Sequence, residues 1–124
     1  MTNEELESAI KDVMVFDGWR EISNQKSRYL RPHVFNIVCP MTLHKSDILE
    51  HTRYHTSRDW LHPVWEKFRD ITYNYANKYS EEELENINVY HSNIRYNITD
   101  GTPLEAFTAL HSAIVWFNSI NKEG

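Results

Sequence analysis

INVYHSNIRYNI, residues Ile87 to Ile98, is the stretch whose reading decides the fold. With period two, Tyr90, Ser92, Ile94, Tyr96 and Ile98 share one face, and the polar His91, Asn93, Arg95 and Asn97 share the other. Alternation of this kind predicts one bent strand or two. Upstream, SEEELE (Ser80 to Glu85) reads as an acidic surface connection or a single helical turn, and downstream Asp100-Gly101 turns the chain into its next element. A second strand is predicted at HVFNIVC, His33 to Cys39, which is rich in β-branched and aromatic residues and is bounded by Pro32 and Pro40. Ser23 to Ser27 reads as a polar loop.

Three helices flank these segments. In the first, Leu6, Ile10, Val13 and Met14 recur at helical spacing; Thr2 or Asn3 can cap it, and Gly18 followed by Trp19 reads as its stop before an extended segment. The second carries Leu61, Val64, Trp65, Phe68, Ile71, Tyr75 and Tyr79 on one side. Thr56 or Ser57 is its natural cap, with Asp59 in the first turn, where a negative charge suits the helix dipole. Pro63 predicts a kink, or a short turn from Ser57 to Leu61 ahead of the regular helix. The third opens with TPLE, Thr102 to Glu105, a capping box with proline at the first helical position. Its stripe is Phe107, Leu110, Ile114 and Phe117, widened by Ala106, Ala113 and Ile120, and it runs out at Asn121, Lys122 and Gly124. Together these elements predict an α+β fold, three helices packed on a small, mainly antiparallel sheet, in a single domain over residues 1–124.

A chain of this length can remove about two-thirds of its unfolded surface from water and needs no metal or disulfide to hold a core. The one cysteine, Cys39, has no internal partner, and MTNEELESAIKDV carries charge where a signal peptide needs an apolar run. The expected location is the cytoplasm. No stretch reaches the roughly 18 uninterrupted apolar residues of a membrane span. Net charge is −5. From Arg20 to Arg69 nine Lys/Arg stand against five acids, a local balance of +4 that leaves −9 on the flanks. A basic middle can face phosphate, but no zinc-finger spacing and no aromatic-glycine signature of an RNA-binding sheet accompanies it, so nucleic acid is the lesser expectation.

The chemistry-bearing residues are sparse. His51 and His55 stand four apart, a spacing that on a helix points both imidazoles the same way and could hold zinc if Asp59 or Cys39 completed the shell. Thr56 and Ser57 place His55 ahead of the helix, however, and neither an HExxH glutamate nor a CxxC pair is present. Cys39, between a strand-like run and a proline, reads as a buried inert thiol. Three glycines make no phosphate-cradling loop, no GxSxG elbow exists, and His111, beside Phe107 and Ile114, reads as a core-edge histidine. Trp60 and Trp65, five apart, point about 140° from each other on a helix. Trp65 is then expected in the core; Trp60, beside Arg58 and Asp59 at the helix start, is the better contact candidate of the two, with simple packing beneath the preceding loop as its other reading.

Two blocks, YHTSRDWLHPVWEKF (Tyr54 to Phe68) and TPLEAFTALHSAIVWFNSINK (Thr102 to Lys122), resemble a pattern found in small uncharacterised proteins of phages, prophages and gut Bacteroidetes genomes, close to YHTSWDWLMPVVEKI and LEAVWKAVVEFIKWYN. Arg58 replaces the pattern's tryptophan and His62 its methionine. The blocks are also loosely similar to a phage domain described as an α-β-α sandwich. The resemblance implies a phage-related accessory protein and no mechanism. The expectation is thus a non-enzymatic accessory or binding protein with an unidentified protein partner and no cofactor. The alternatives are a small metal- or nucleotide-dependent enzyme, and a nucleic-acid-associated protein using the basic middle. Oligomeric state is left open.

Overall fold

The computed structural model describes residues 2–22, 25–30, 42–44, 47–74 and 78–121. Its elements follow the order α1 (Asn3–Asp17), β1 (Arg20–Ile22), β2 (Gln25–Leu30), β3 (Thr42–His44), α2 (Ile48–His51), α3 (Arg58–Asn74), α4 (Glu81–Asp100) and α5 (Pro103–Ile120). The fold is mainly helical, which overturns the expected α+β arrangement of three helices on a sheet.

The error lies in the stretch from Ile87 to Ile98. It is part of α4, 20 residues long, and contributes no strand. Ser80 opens this helix with a capping box: the Glu83 amide donates to Ser80 Oγ at 3.1 Å, and the Ser80 amide donates to Glu83 Oε1 at 2.9 Å. Glu81, Glu82 and Glu83 then set negative charge against the helix N-terminus. Ile87, His91 and Ile94 are buried, with Tyr90 and Ile98 packed at the edge of the core. Their spacing is that of one helix face. Ser92 and Tyr96, which alternation put beside Ile94, are exposed, and His91, which alternation put on the polar face, is buried.

The helices at the two ends of the chain form as expected. Thr2 caps α1 through a box with Glu5, and Gly18 ends it in the left-handed region at φ 107°, where a side chain would be strained. Thr102 caps α5, with the Glu105 amide donating to its hydroxyl at 3.1 Å. The Thr102 amide donates back to Glu105 Oε1 at 3.0 Å, and hydrogen bonds from the Thr102 backbone and then its side chain hold the Glu105 carboxyl below its ordinary range.

In α3 the expected short turn from Ser57 to Leu61 does not occur, because the chain is helical from Arg58, with the Ser57 carbonyl accepting from the Leu61 amide at 3.3 Å. Pro63 sits inside this helix. Both Pro63 and Asp59 are exposed, so the carbonyl left without a donor can turn to water. The described helix runs to Asn74, and the predicted stripe residue Tyr79 lies beyond it, next to Ser80, the cap of α4. Tyr75, like the predicted strand His33 to Cys39, lies outside the described residues.

Beside the helices, β1, β2 and β3 form a small antiparallel ribbon in that order. Arg20 pairs with Leu30, Glu21 with Tyr29, Tyr29 with Leu43 and Leu30 with Thr42, with a register shift between Glu21 and Ile22. Residues 25–27, expected in a loop, belong to β2. Tyr29 and Leu43 join the hydrophobic core.

That core centres on α5, which packs against α1, α3 and α4. Phe107, Leu110, Ala113 and Ile114 have no exposed surface. Phe16, Phe68 and Phe117 meet at centroid distances of 6.0 to 6.3 Å. Among the described residues no helix is long and apolar enough to cross a membrane.

Candidate functional site

The start of α3 holds the residues that the sequence singles out for binding, and it is built as a packed corner. Tyr54 is buried beneath it, its hydroxyl accepting from Trp19 Nε1 at 2.9 Å and donating to Asp17. Trp60 meets the Tyr54 ring edge to face at 5.1 Å and is only 6% exposed. Of its two readings Trp60 takes the packed one, beneath the loop that precedes the helix: Trp60 and Trp65 are both core. The two rings still point to different sides of the helix, and Tyr54 covers the side that carries Trp60. Arg58 and Asp59 remain exposed. The Arg58 guanidinium donates to the Gly101 carbonyl, tying α3 to the turn between α4 and α5.

The two histidines take different surroundings. His55 is half-buried, its ring edge-on to Phe107 at 6.3 Å, and burial pushes its pKa down. His51 is exposed at the end of α2, where its ring and the carboxylates of Asp47 and Glu50 bring ligand atoms within 4.8 Å of one another. Among the described residues this trio, rather than His51 with His55 and Asp59, is the grouping able to hold a divalent cation. Cys39 lies outside the described residues. Asp47, Glu50 and His51 sit on and beside a helix of four residues, where water competes for every ligand. His111 Nε2 lies 2.9 Å from the Asp12 carboxylate, joining α5 to α1. That contact is structural.

Two features were missed by sequence reasoning. His91, 3% exposed, is enclosed by the rings of Trp65, Phe68 and Tyr73 at centroid distances of 5.3, 5.7 and 4.6 Å. The Thr72 hydroxyl donates to the Phe68 carbonyl at 2.8 Å, so its oxygen is left to accept from His91 Nε2–H at 2.7 Å. Nδ1 is buried without a hydrogen-bond partner among the described residues. Burial, and then the charges of Arg95 and Arg69, depress this imidazole to about 4.

The other feature is the outer face of the α4–α5 hairpin. Val89 and Tyr96 are each 66% exposed, Leu104 48% and Val115 46%. Seven residues apart, Val89 and Tyr96 project within about 20° of one another. Beside them runs a groove lined by Asn93, Asn97, Leu104, Glu105, Thr108, Ala109 and Ser112. Asn93 also lines a shallow depression with Asn88, Val89, Ser92 and Tyr96, so the two hollows adjoin. Over residues 86–99 and 106–121 the sequence carries one Lys, Arg, Asp or Glu, Arg95, in a chain that is 25% charged. The signal was legible as a lack of charge.

Comparison with protein-family models, with curated proteins and with solved structures gave no match for this chain.

Proposed function

We propose that this chain is a non-enzymatic binding or accessory protein of the cytoplasm that docks a protein through the outer face of the α4–α5 hairpin. The observation that carries the reading is that face itself: exposed aliphatic and aromatic side chains beside a largely uncharged groove in which Glu105 is the one charged lining residue. Depletion of charge and enrichment of aromatic residues mark the buried centres of protein interfaces, and contiguous exposed apolar surface on a soluble domain marks interaction sites. The phage connection rests on the two sequence blocks alone.

Photocrosslinking tests the reading. A benzophenone side chain placed at Ser112, in the groove, should give an adduct with a protein when the chain is irradiated in its own cells. The same group at Asp70, exposed on α3, should not. Recovery of the uncrosslinked chain alone from both positions would refute the docking surface.

A further inference from the structure

We propose that the occupant of this face is an amphipathic helix of a partner protein, with an apolar stripe about four turns long and Lys or Arg at both of its ends; the proposal rests on the docking reading above.

Charge sets the sign of the partner. Over residues 81–121 six acids, Glu81, Glu82, Glu83, Glu85, Asp100 and Glu105, stand against one base, Arg95, while the rest of the chain balances twelve Lys/Arg with twelve acids. The whole net charge of −5 therefore resides on the α4–α5 hairpin. At about 100° per residue, Glu82, Glu85 and Asp100 project within about 40° of Val89 and so belong to the outer face of α4. Glu105 lines the groove beside them. All four carboxylates are exposed, and among the described residues no ion pair reaches any of them. Arg95 lies about 120° around the helix from Val89, on the side where its charge acts on His91. The acids of the outer face are thus left for a partner to neutralise.

Their placement gives the partner its pattern. Glu82 and Glu85 stand at the start of α4, and Asp100 and Glu105 at its turn into α5. Between the two groups the face is uncharged: Val89 and Tyr96 line one hollow with Asn88, Ser92 and Asn93, and the adjoining groove leads past Ala109 and Ser112. A ligand held by charge alone would leave Val89 and Tyr96 in water. Apolar side chains in the middle of a helix cover them, while charged ends meet the rim and fix orientation and approach.

Length follows from the same residues. Glu85 and Asp100 are 15 positions apart on α4, about 22 Å at 1.5 Å per residue. A helix lying along the groove covers that span in about four turns, which puts its Lys or Arg in its first and last turns.

Fluorescence anisotropy with the purified full chain and three labelled peptides of about 18 residues tests the proposal. The first peptide carries leucines along one helical stripe and lysines in its terminal turns, the second has glutamates in place of the lysines, and the third has serines in place of the leucines. The first should saturate below about 100 µM, and each of the others should bind at least about 10-fold more weakly. Raising NaCl from about 50 to 500 mM should weaken the first several-fold. Glu85→Gln with Glu105→Gln should weaken it about 5-fold or more, and glutamine at 105 still serves the capping box. Glu4→Gln with Asp70→Asn, the same change in net charge away from the hairpin, should leave it unaltered. Val89→Ser with Tyr96→Ser should cost about 10-fold or more, with far-UV circular dichroism unchanged because both positions are exposed.

No binding of the first peptide overturns the proposal, as does equal binding of the first and second. Equal weakening by the two charge-neutralising variants would mean attraction to the acidic chain as a whole, and also overturns it. If the Ser112 crosslink captures a protein while the lysine-ended peptide does not bind, the docking reading stands and the basic helix falls. If neither adduct nor peptide binding is found, both fall.

Discussion

Lowering the pH should weaken the fold through His91. In the folded chain its pKa is about 4, against an ordinary 6.5. Because the folded value is the lower one, the unfolded chain binds more protons between the two, and stability is lost as pH falls. The contribution is complete above about pH 6.5, declines through the window down to about 4, and is flat below. The whole gap corresponds to about 3 kcal/mol. At pH 5 the unfolded imidazole is almost entirely charged while the folded one is mostly neutral, so about 2 kcal/mol is lost. The physical reason is local: Nδ1 has no acceptor, the Thr72 oxygen already holds the Nε2 proton, and Arg69 and Arg95 stand against a second positive charge. Urea unfolding at pH 7.5 and 5.0, for the wild type and for His91→Leu, isolates the effect, because titration of His55 and of the carboxylates cancels between the two proteins. The wild type should lose about 2 kcal/mol more than the variant over that interval. Equal losses, within about 0.5 kcal/mol, would falsify the enclosed neutral imidazole.

Other sites give simpler expectations. Trp60→Ala should cost about 3–5 kcal/mol in denaturant unfolding, because its ring is buried against Tyr54; a change below about 0.5 kcal/mol would return Trp60 to the surface. Gly18→Ala should lower stability by about 1–2 kcal/mol in the same assay, since alanine pays for the left-handed φ of 107° at the end of α1. For Asp47, Glu50 and His51, the melting temperature should be the same with and without a chelator, and a chelator-sensitive wild type beside an insensitive His51→Ala variant would establish a metal site.

How much of this was legible in the sequence depended on whether a signal was local. The caps of α1 and α5 were readable because a hydroxyl and a carboxylate three residues apart satisfy amides in their own turn. Ser80 and Glu83 carry that same box, but within an acidic run it passed for a solvated connection. The decisive pair was Ile87 and Ile94. Seven residues apart, they share a face on a helix and take opposite faces on a strand, so their common burial excludes the alternation that Ile94, Tyr96 and Ile98 mimic. Trp60 could not be placed from spacing, because what covers it is Tyr54, held by Trp19 and Asp17 from a distant part of the chain. His51 is legible through its four-residue spacing to His55, whereas Asp47 and Glu50 read as ordinary surface acids until the turn of α2 brings them beside it. The α4–α5 face escaped notice because its mark is missing charge, which becomes informative only once 81–100 is a helix with an outside.

The state of residues 81–100 is therefore the most direct test of the whole account, since both the helical fold and the docking face depend on it. Backbone NMR chemical shifts of the purified chain read that state residue by residue. The account predicts Cα shifts displaced to helical values without a break from Glu81 to Asp100, beginning just after Ser80. Extended-chain shifts over Ile87 to Ile98 would contradict it, restoring the strand reading and removing the surface on which a partner is proposed to dock.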